Sequence, residues 1–221
     1  MPKDLKLYYS RNLNPRVAVA VAKYLDSPVE YIPASPQHPN HEEAFRPLNP
    51  NRLVPVLVED GRSLWEVDAI ACRLSAIAGS DFWPTDARMP ELVQWVGWAN
   101  NHLTPAGATF YFHRLIRPQF SDVEPHPSLL EDNMARFRQC AAILDMVLAG
   151  RDWLVGGHFS YADLRVATVF PFAESAGLPY REYRNIFRWH ERLSALEAWG
   201  EPFGSLAEHP DQIKPLGGPD A

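Results

Sequence analysis

Hydrophobic positions in the first eighty residues fall into short runs separated by turn-forming residues. The run "LKLYY" at 5–9 reads as a short buried strand. After the polar "SRNL", Asn14-Pro15 has the form of a helix cap followed by proline in the first turn. Val17, Ala18, Val21, Ala22 and Leu25 then keep helical spacing. The run "VAVAVA" alone also fits a strand, and the cap and the length decide for a helix. "VEYIP" predicts a second strand, "VPVLVE" and "SLWE" two more joined by a turn at "DG", and residues 67–78 a helix stopped by Gly79. Residues 1–79 therefore read as a β-α-β start followed by a ββα unit.

Beyond the Pro-containing linker at 80–88 the pattern changes to long helical periods with no strand signal. Residues 89–117, 126–149, 160–176 and 180–198 carry this periodicity, with Pro105 and Gly107 placed to kink the first segment. Ser160 and Asp163 form a capping box, with Phe159 and Leu164 as its hydrophobic staple. Loss of the Ser160 hydroxyl is expected to cost about 0.5–2 kcal/mol. The tail "EPFGSLAEHPDQIKPLGGPDA" is too rich in Pro and Gly to stay helical and reads as lying over the body or partly disordered. The expected fold class is α/β followed by all-α, with the helical domain spanning 89–221.

Composition narrows the function. A chain of 221 residues, 46% hydrophobic and 12% aromatic, has enough apolar material for a sizeable core. The balance of 21 basic against 27 acidic residues, with no basic stripe, argues against nucleic acid as a partner. No run approaches the ~18 apolar residues of a membrane span, and the N-terminus has no apolar leader, so a soluble cytoplasmic protein is expected. Cys72 and Cys140 sit in apolar helical patterns and read as buried small hydrophobes rather than a disulfide or zinc pair. There is no nucleophile elbow, metalloprotease or phosphate-loop motif, and none of the eight histidines pairs with Cys or Asp at metal-ligand spacing. His102 and His113 read as solvent or groove residues. No metal is expected.

What remains is a site built from backbone. Pro55 opens a strand where a missing N–H is tolerated, in a place suited to a tight turn of the cis type. An extended peptide could then pair with the main chain of Val54. The entrance of the helix at 67–78 offers free N–H groups and partial positive charge to a carboxylate. Val67 stands there, where a capping Ser, Thr, Asp or Asn would be favoured.

The runs "LYYSRNLNPRVAVAVAKYL", "LNPNRLVPVLVEDGRSLWEVDAI" and "GGHFSYADLRVATVFPFAE", in this order and spacing, resemble the cytosolic glutathione transferase family over nearly the whole chain. The resemblance implies a thioredoxin-like first domain, an all-helical second domain, glutathione as co-substrate and usually a homodimer. It implies that Val54 and Pro55 hold the cysteinyl part of glutathione, and Glu66 its γ-glutamyl end. Leu53 stands where the family often has Gln or Lys, and Val67 where it usually has Ser. Loss of that hydroxyl removes a hydrogen bond to a charged group, about 1.5–3 kcal/mol of affinity, while leaving the Val67 N–H. Asp68 adds a negative charge that favours the helix end but repels an arriving carboxylate. For the residue that favours the thiolate, the resemblance ranks Asn12 first, then Ser10, then Tyr9, with the charge of Arg11 close by.

The second substrate, a small hydrophobic electrophile, is expected against the helical domain, where Trp98, Asn101, His102, Phe110, Tyr111 and Phe112 surround the kink. The resulting expectation is a transferase that activates the glutathione thiol, of the kind used in detoxification. Its rivals are a glutathione-dependent disulfide reductase and a non-catalytic binding or assembly module.

Overall fold

The computed structural model describes residues 4–204, 206–211 and 216–217. Its first half holds a four-stranded mixed sheet: β1 (Leu5–Tyr9), β2 (Glu30–Pro33), β3 (Val56–Glu59) and β4 (Arg62–Trp65), in the order β2-β1-β3-β4. β2 runs parallel to β1, as a β-α-β crossover through α1 (Leu13–Tyr24) requires. β3 returns antiparallel to β1, and a tight turn at Asp60-Gly61 brings β4 back against it. A single turn of helix, α2 (Glu42–Phe45), interrupts the loop after β2, and α3 (Val67–Ala78) follows β4. Gly79 ends α3 at φ 62°, the left-handed stop that its sequence position predicts.

Everything after residue 80 is helical or irregular among the described residues, apart from one isolated bridge, Val155 with His158. The elements are α4 (Met89–Trp98), α5 (Thr104–Tyr111), α6 (Pro127–Val147), α7 (Tyr161–Val166), α8 (Arg184–Ser194) and α9 (Glu197–Gly200). Five-residue π-helical stretches, Ala99–Leu103 and Phe112–Ile116, bracket α5. Pro105 explains the first, since it supplies no N–H to the turn before it. Gly107 has another reason: a Cβ there would lie 2.8 Å from Val169, so glycine permits close helix approach rather than a kink.

Three expectations need correction. α1 begins at Leu13 after an extended Asn12 rather than after Asn14; the Asn14 side chain instead accepts from Arg165 Nη1 at 2.8 Å. Cys72 is exposed, because α3 turns Val67, Ile70, Ala71 and Leu74 to the core and Cys72 to the opposite side. Finally, α3 is preceded by Glu66, so Val67 is its first residue and not its cap.

One hydrophobic core runs through both halves, from Leu7, Val19 and Ile70 to Phe170, Trp189 and Trp199. α1 forms the common wall. Its residues from Pro15 to Ala22 are all buried, between α3 and β1 on one side and α7 and α9 on the other. The buried Arg16 guanidinium donates to the Trp199 carbonyl at 2.6 Å and lies over the Trp199 and Phe203 rings. Burial pulls it down to about 9. A smaller cluster of Ala34, Phe45, Val56 and Val58 covers the other face of the sheet.

The capping box at α7 has the expected partners. Asp163 accepts from the Ser160 N–H at 3.0 Å and from the Ser160 hydroxyl at 3.3 Å. It accepts further from the Leu154 N–H and the Trp189 indole, both at 3.0 Å.

Candidate active site

β1 ends at Tyr9 and α1 begins at Leu13, so residues 10–12 form a short loop at the edge of the sheet. Ser10 is buried and Asn12 half-buried. The Asn12 carboxamide donates to Ser10 Oγ at 3.3 Å, while its oxygen accepts from the Tyr111 hydroxyl at 2.5 Å. Burial holds the Tyr111 phenol far above its ordinary value, so it remains a protonated donor. The sequence brings two of its three thiol candidates together and adds a partner ninety-nine residues away.

Tyr9 faces elsewhere. Its hydroxyl donates to the carbonyl of Ala207, its ring stacks on Phe203, and burial pushes its phenol up. Arg11 points the same way, donating to the Leu206 carbonyl at 3.4 Å, pairing with Glu208 at 3.1 Å and lying over Phe203. The described part of the tail therefore lies across the end of β1, as one of its two sequence readings has it.

The Val54-Pro55 peptide is cis. Tyr8 opposes Val56 in the antiparallel ladder, so the same register carried outward passes Tyr9 with Pro55 and then sets Ser10 opposite Val54. No described residue takes up the N–H or C=O of Val54. Glu66 is exposed with φ at 73°, a conformation that L-residues rarely adopt, just before α3. Leu53 is exposed beside them, and its carbonyl accepts from Asn49 Nδ2 at 2.8 Å. The geometry thus places Ser10, Val54 and Glu66 at neighbouring strand and helix ends, each with polar atoms available.

Val67 is different: it is 2% exposed, and its side chain belongs to the core with Ile70 and Leu74. Val67→Ser is therefore expected to cost about 1–3 kcal/mol of stability through two lost buried methyl groups, measured by urea unfolding. Asp68 is not free at the helix end. It accepts from Asn100 Nδ2 at 2.7 Å and Tyr161 at 2.5 Å, and it pairs with Arg165 Nε at 3.1 Å. Arg165 also donates to Asn100 Oδ1 at 2.5 Å and to Asn14, so this network ties α3 and α1 to the helical half.

The aromatic stretch around α5 divides. Phe110 is core, Trp98 half-buried, and Asn101, His102 and Phe112 exposed; only Tyr111 meets the Ser10–Asn12 loop. Tyr111 and the Asp68–Arg165 network escaped sequence reasoning as site-positioning groups because their partners lie in the other half of the chain.

Comparison with known proteins shows the family. Residues 9–81 match the family model described as glutathione S-transferase, N-terminal domain, and residues 127–199 match the corresponding C-terminal domain model. Glutathione S-transferase GstB of Escherichia coli (strain K12) is 30% identical over 193 residues, covering 84% of this chain and 90% of the relative. Glutathione S-transferase stcT of Emericella nidulans is 31% identical over 219 residues, covering 94% and 96%. Among solved structures, glutathione transferase F2 from Populus trichocarpa superposes with a TM-score of 0.83 at 18% identity, covering 90% of this chain and 97% of that one. With both of its halves matched and the thioredoxin-like plus all-helical fold in place, this chain belongs to the glutathione S-transferase family and is an enzyme of that kind.

Proposed function

We propose that the chain binds glutathione in extended form along Val54, with the γ-glutamyl end at Glu66 and the entrance of α3, and the sulfur beside Ser10 and Asn12. The thiolate attacks a small apolar electrophile seated against the helical half near Tyr111. The observation that carries this reading is the pairing of Asn12 with Ser10. Because Asn12 donates to Ser10 Oγ, the serine hydroxyl proton is left to donate to sulfur. Tyr111 fixes the Asn12 carboxamide through its oxygen, which keeps its N–H on Ser10 Oγ. Donors aimed at the sulfur favour its charged form and lower the thiol pKa, and holding both reactants close adds to the rate.

Val67, buried, contributes at most its N–H, and glutathione affinity is correspondingly weak. Family membership supports a cytoplasmic homodimer. The reductase alternative uses the same glutathione groove and differs only in its electrophile, a disulfide.

The test is a glutathione titration followed by a conjugation assay with a chloronitroaromatic substrate and a disulfide-reduction assay. Binding in the millimolar range is expected, and Ser10→Ala and Asn12→Ala should each lower kcat/KM for conjugation by about 10–100-fold, the loss of one hydrogen bond to a charged group. Absence of binding up to tens of millimolar, or unchanged rates in both variants, overturns the reading.

A further inference from the structure

The tail does more than cover Tyr9 and Arg11. It carries His209 and Asp211 to the loop after β2, which carries His38 and His41. His38, His41 and Asp211 each offer one ligand atom, all within 4.8 Å of one another. His41 Nε2 lies 3.7 Å from Asp211 Oδ2, and His38 Nδ1 and His209 Nδ1 both lie 4.0 Å from that same oxygen. The His41 ring packs against the rings of His38 and His209 at 5.1 and 4.8 Å. Three imidazoles thus surround one carboxylate. The sequence expectation of no metal-ligand spacing missed the cluster because His-x-x-His and His-x-Asp lie at opposite ends of the chain.

We propose that these residues form a binding site for a divalent transition-metal ion of the zinc class, which fastens the tail to the loop after β2. His38, His41 and Asp211 are the ligands, and His209 stands where it can complete a tetrahedral set. Imidazole with one carboxylate is a donor set suited to zinc and its neighbours and poorly suited to magnesium. Donor atoms around zinc sit about 3.3 Å apart, given zinc–ligand distances of about 2.0–2.2 Å. The cluster therefore has to close by roughly 0.5–1.5 Å, a small adjustment for side chains that are about a third exposed.

Surrounding contacts favour this closure. His41 Nδ1 lies 3.3 Å from the Ser35 carbonyl. Donation there fixes the tautomer that leaves Nε2 facing Asp211, the outer-sphere partner that ligating histidines usually have. The Ser35 hydroxyl donates to the Asp211 carbonyl at 2.9 Å, holding the two segments in register. Two contacts compete: His38 Nδ1 accepts from the Asn40 N–H at 3.3 Å and His209 Nδ1 from the Asp211 N–H at 3.2 Å. Rotation of either ring releases its nitrogen to the metal. The proposal stands independently of how glutathione is bound, because none of these four residues is assigned to thiol activation.

The experiment is calorimetric titration of the full-length chain, without a polyhistidine tag, with zinc chloride and, separately, magnesium chloride. One zinc per chain with micromolar or tighter affinity is expected, and no magnesium binding. Asp211→Asn should weaken zinc binding by at least about tenfold and the double variant His38→Ala/His41→Ala should abolish it, with circular dichroism unchanged. Cys72→Ser, which removes the one exposed thiol among the described residues, should leave binding unchanged. Zinc should also slow hydrogen exchange of the amides at 206–211. Absence of zinc binding, binding undiminished in the double variant, equal binding of magnesium, dependence on Cys72 or unprotected tail amides overturns the proposal.

Discussion

Asp163→Ala is expected to unfold in urea with a stability about 3–5 kcal/mol below that of the parent chain. The carboxylate is fully buried and accepts from two backbone N–H groups, a hydroxyl and an indole. Alanine leaves all four donors without that acceptor and also undoes the cap of α7. A penalty of this size is a large share of the 5–15 kcal/mol that holds a typical domain together. It should lower Tm by roughly 10 °C for a chain of this length.

The penalty should also depend on pH. Burial raises the Asp163 carboxyl from 3.8 to about 6, against the pull of its hydrogen bonds. A carboxyl with a raised folded-state value takes up its proton more readily when folded, so its contribution to stability is fullest below 3.8 and is lost as pH rises through 6. The gap between the parent and Asp163→Ala should accordingly widen as pH is lowered from 7 to about 4. A gap that narrows over that range contradicts the buried-acid account.

The second large effect is expected at Arg165. Arg165→Ala should cost about 2–4 kcal/mol, because it removes a nearly buried cation and leaves the mostly buried Asp68 without its charge partner. Asn14 and Asn100 lose a donor in the same step. Lysine should restore only part of this, since one ammonium cannot reproduce the planar spread of donors that reaches Asp68, Asn100 and Asn14 together. A double-mutant cycle between Asp68→Asn and Arg165→Ala should show a coupling of about 1–3 kcal/mol. Asp68 is the second residue of α3, directly after Glu66 and Val67, so the same variants should raise KM for glutathione. A stability loss without any change in KM would confine the network to a structural role.

Legibility of the fold followed the kind of signal each element carries. α3 was readable to the residue, since its apolar stripe is one-sided and Gly79 marks its end. The α1 pattern was ambiguous because the helix is buried on every side and has no polar stripe to reveal its period. Its start was misplaced by two residues: Asn14-Pro15 has a cap-like form, but Asn14 is recruited by Arg165 across the chain. The geometry around the candidate site was legible where local backbone decides it, at the cis Val54-Pro55 peptide. It was not legible where a distant partner decides the outcome, as with Tyr111 on Asn12 or Ala207 on Tyr9. At Val67 the sequence shows what is lacking, a hydroxyl, while burial of the side chain explains what it supplies, two core methyl groups.

The tail across the end of β1 also fixes an order of events during synthesis. Tyr9, Ser10 and Arg11 are made near the start, and α1 and α9, which pack on each other, are complete by residue 200. Ala207, Glu208, His209 and Asp211 emerge only after that body has the sequence it needs to pack. The cover over Tyr9 and Arg11 is consequently the last of these pieces to come into being. A premature stop or a protease cut after Phe203 would keep Arg16 on its aromatic partners but take Leu206 from the margin of the core. It would remove both the Tyr9 and Arg11 contacts to the tail and half of the histidine–aspartate cluster in one event.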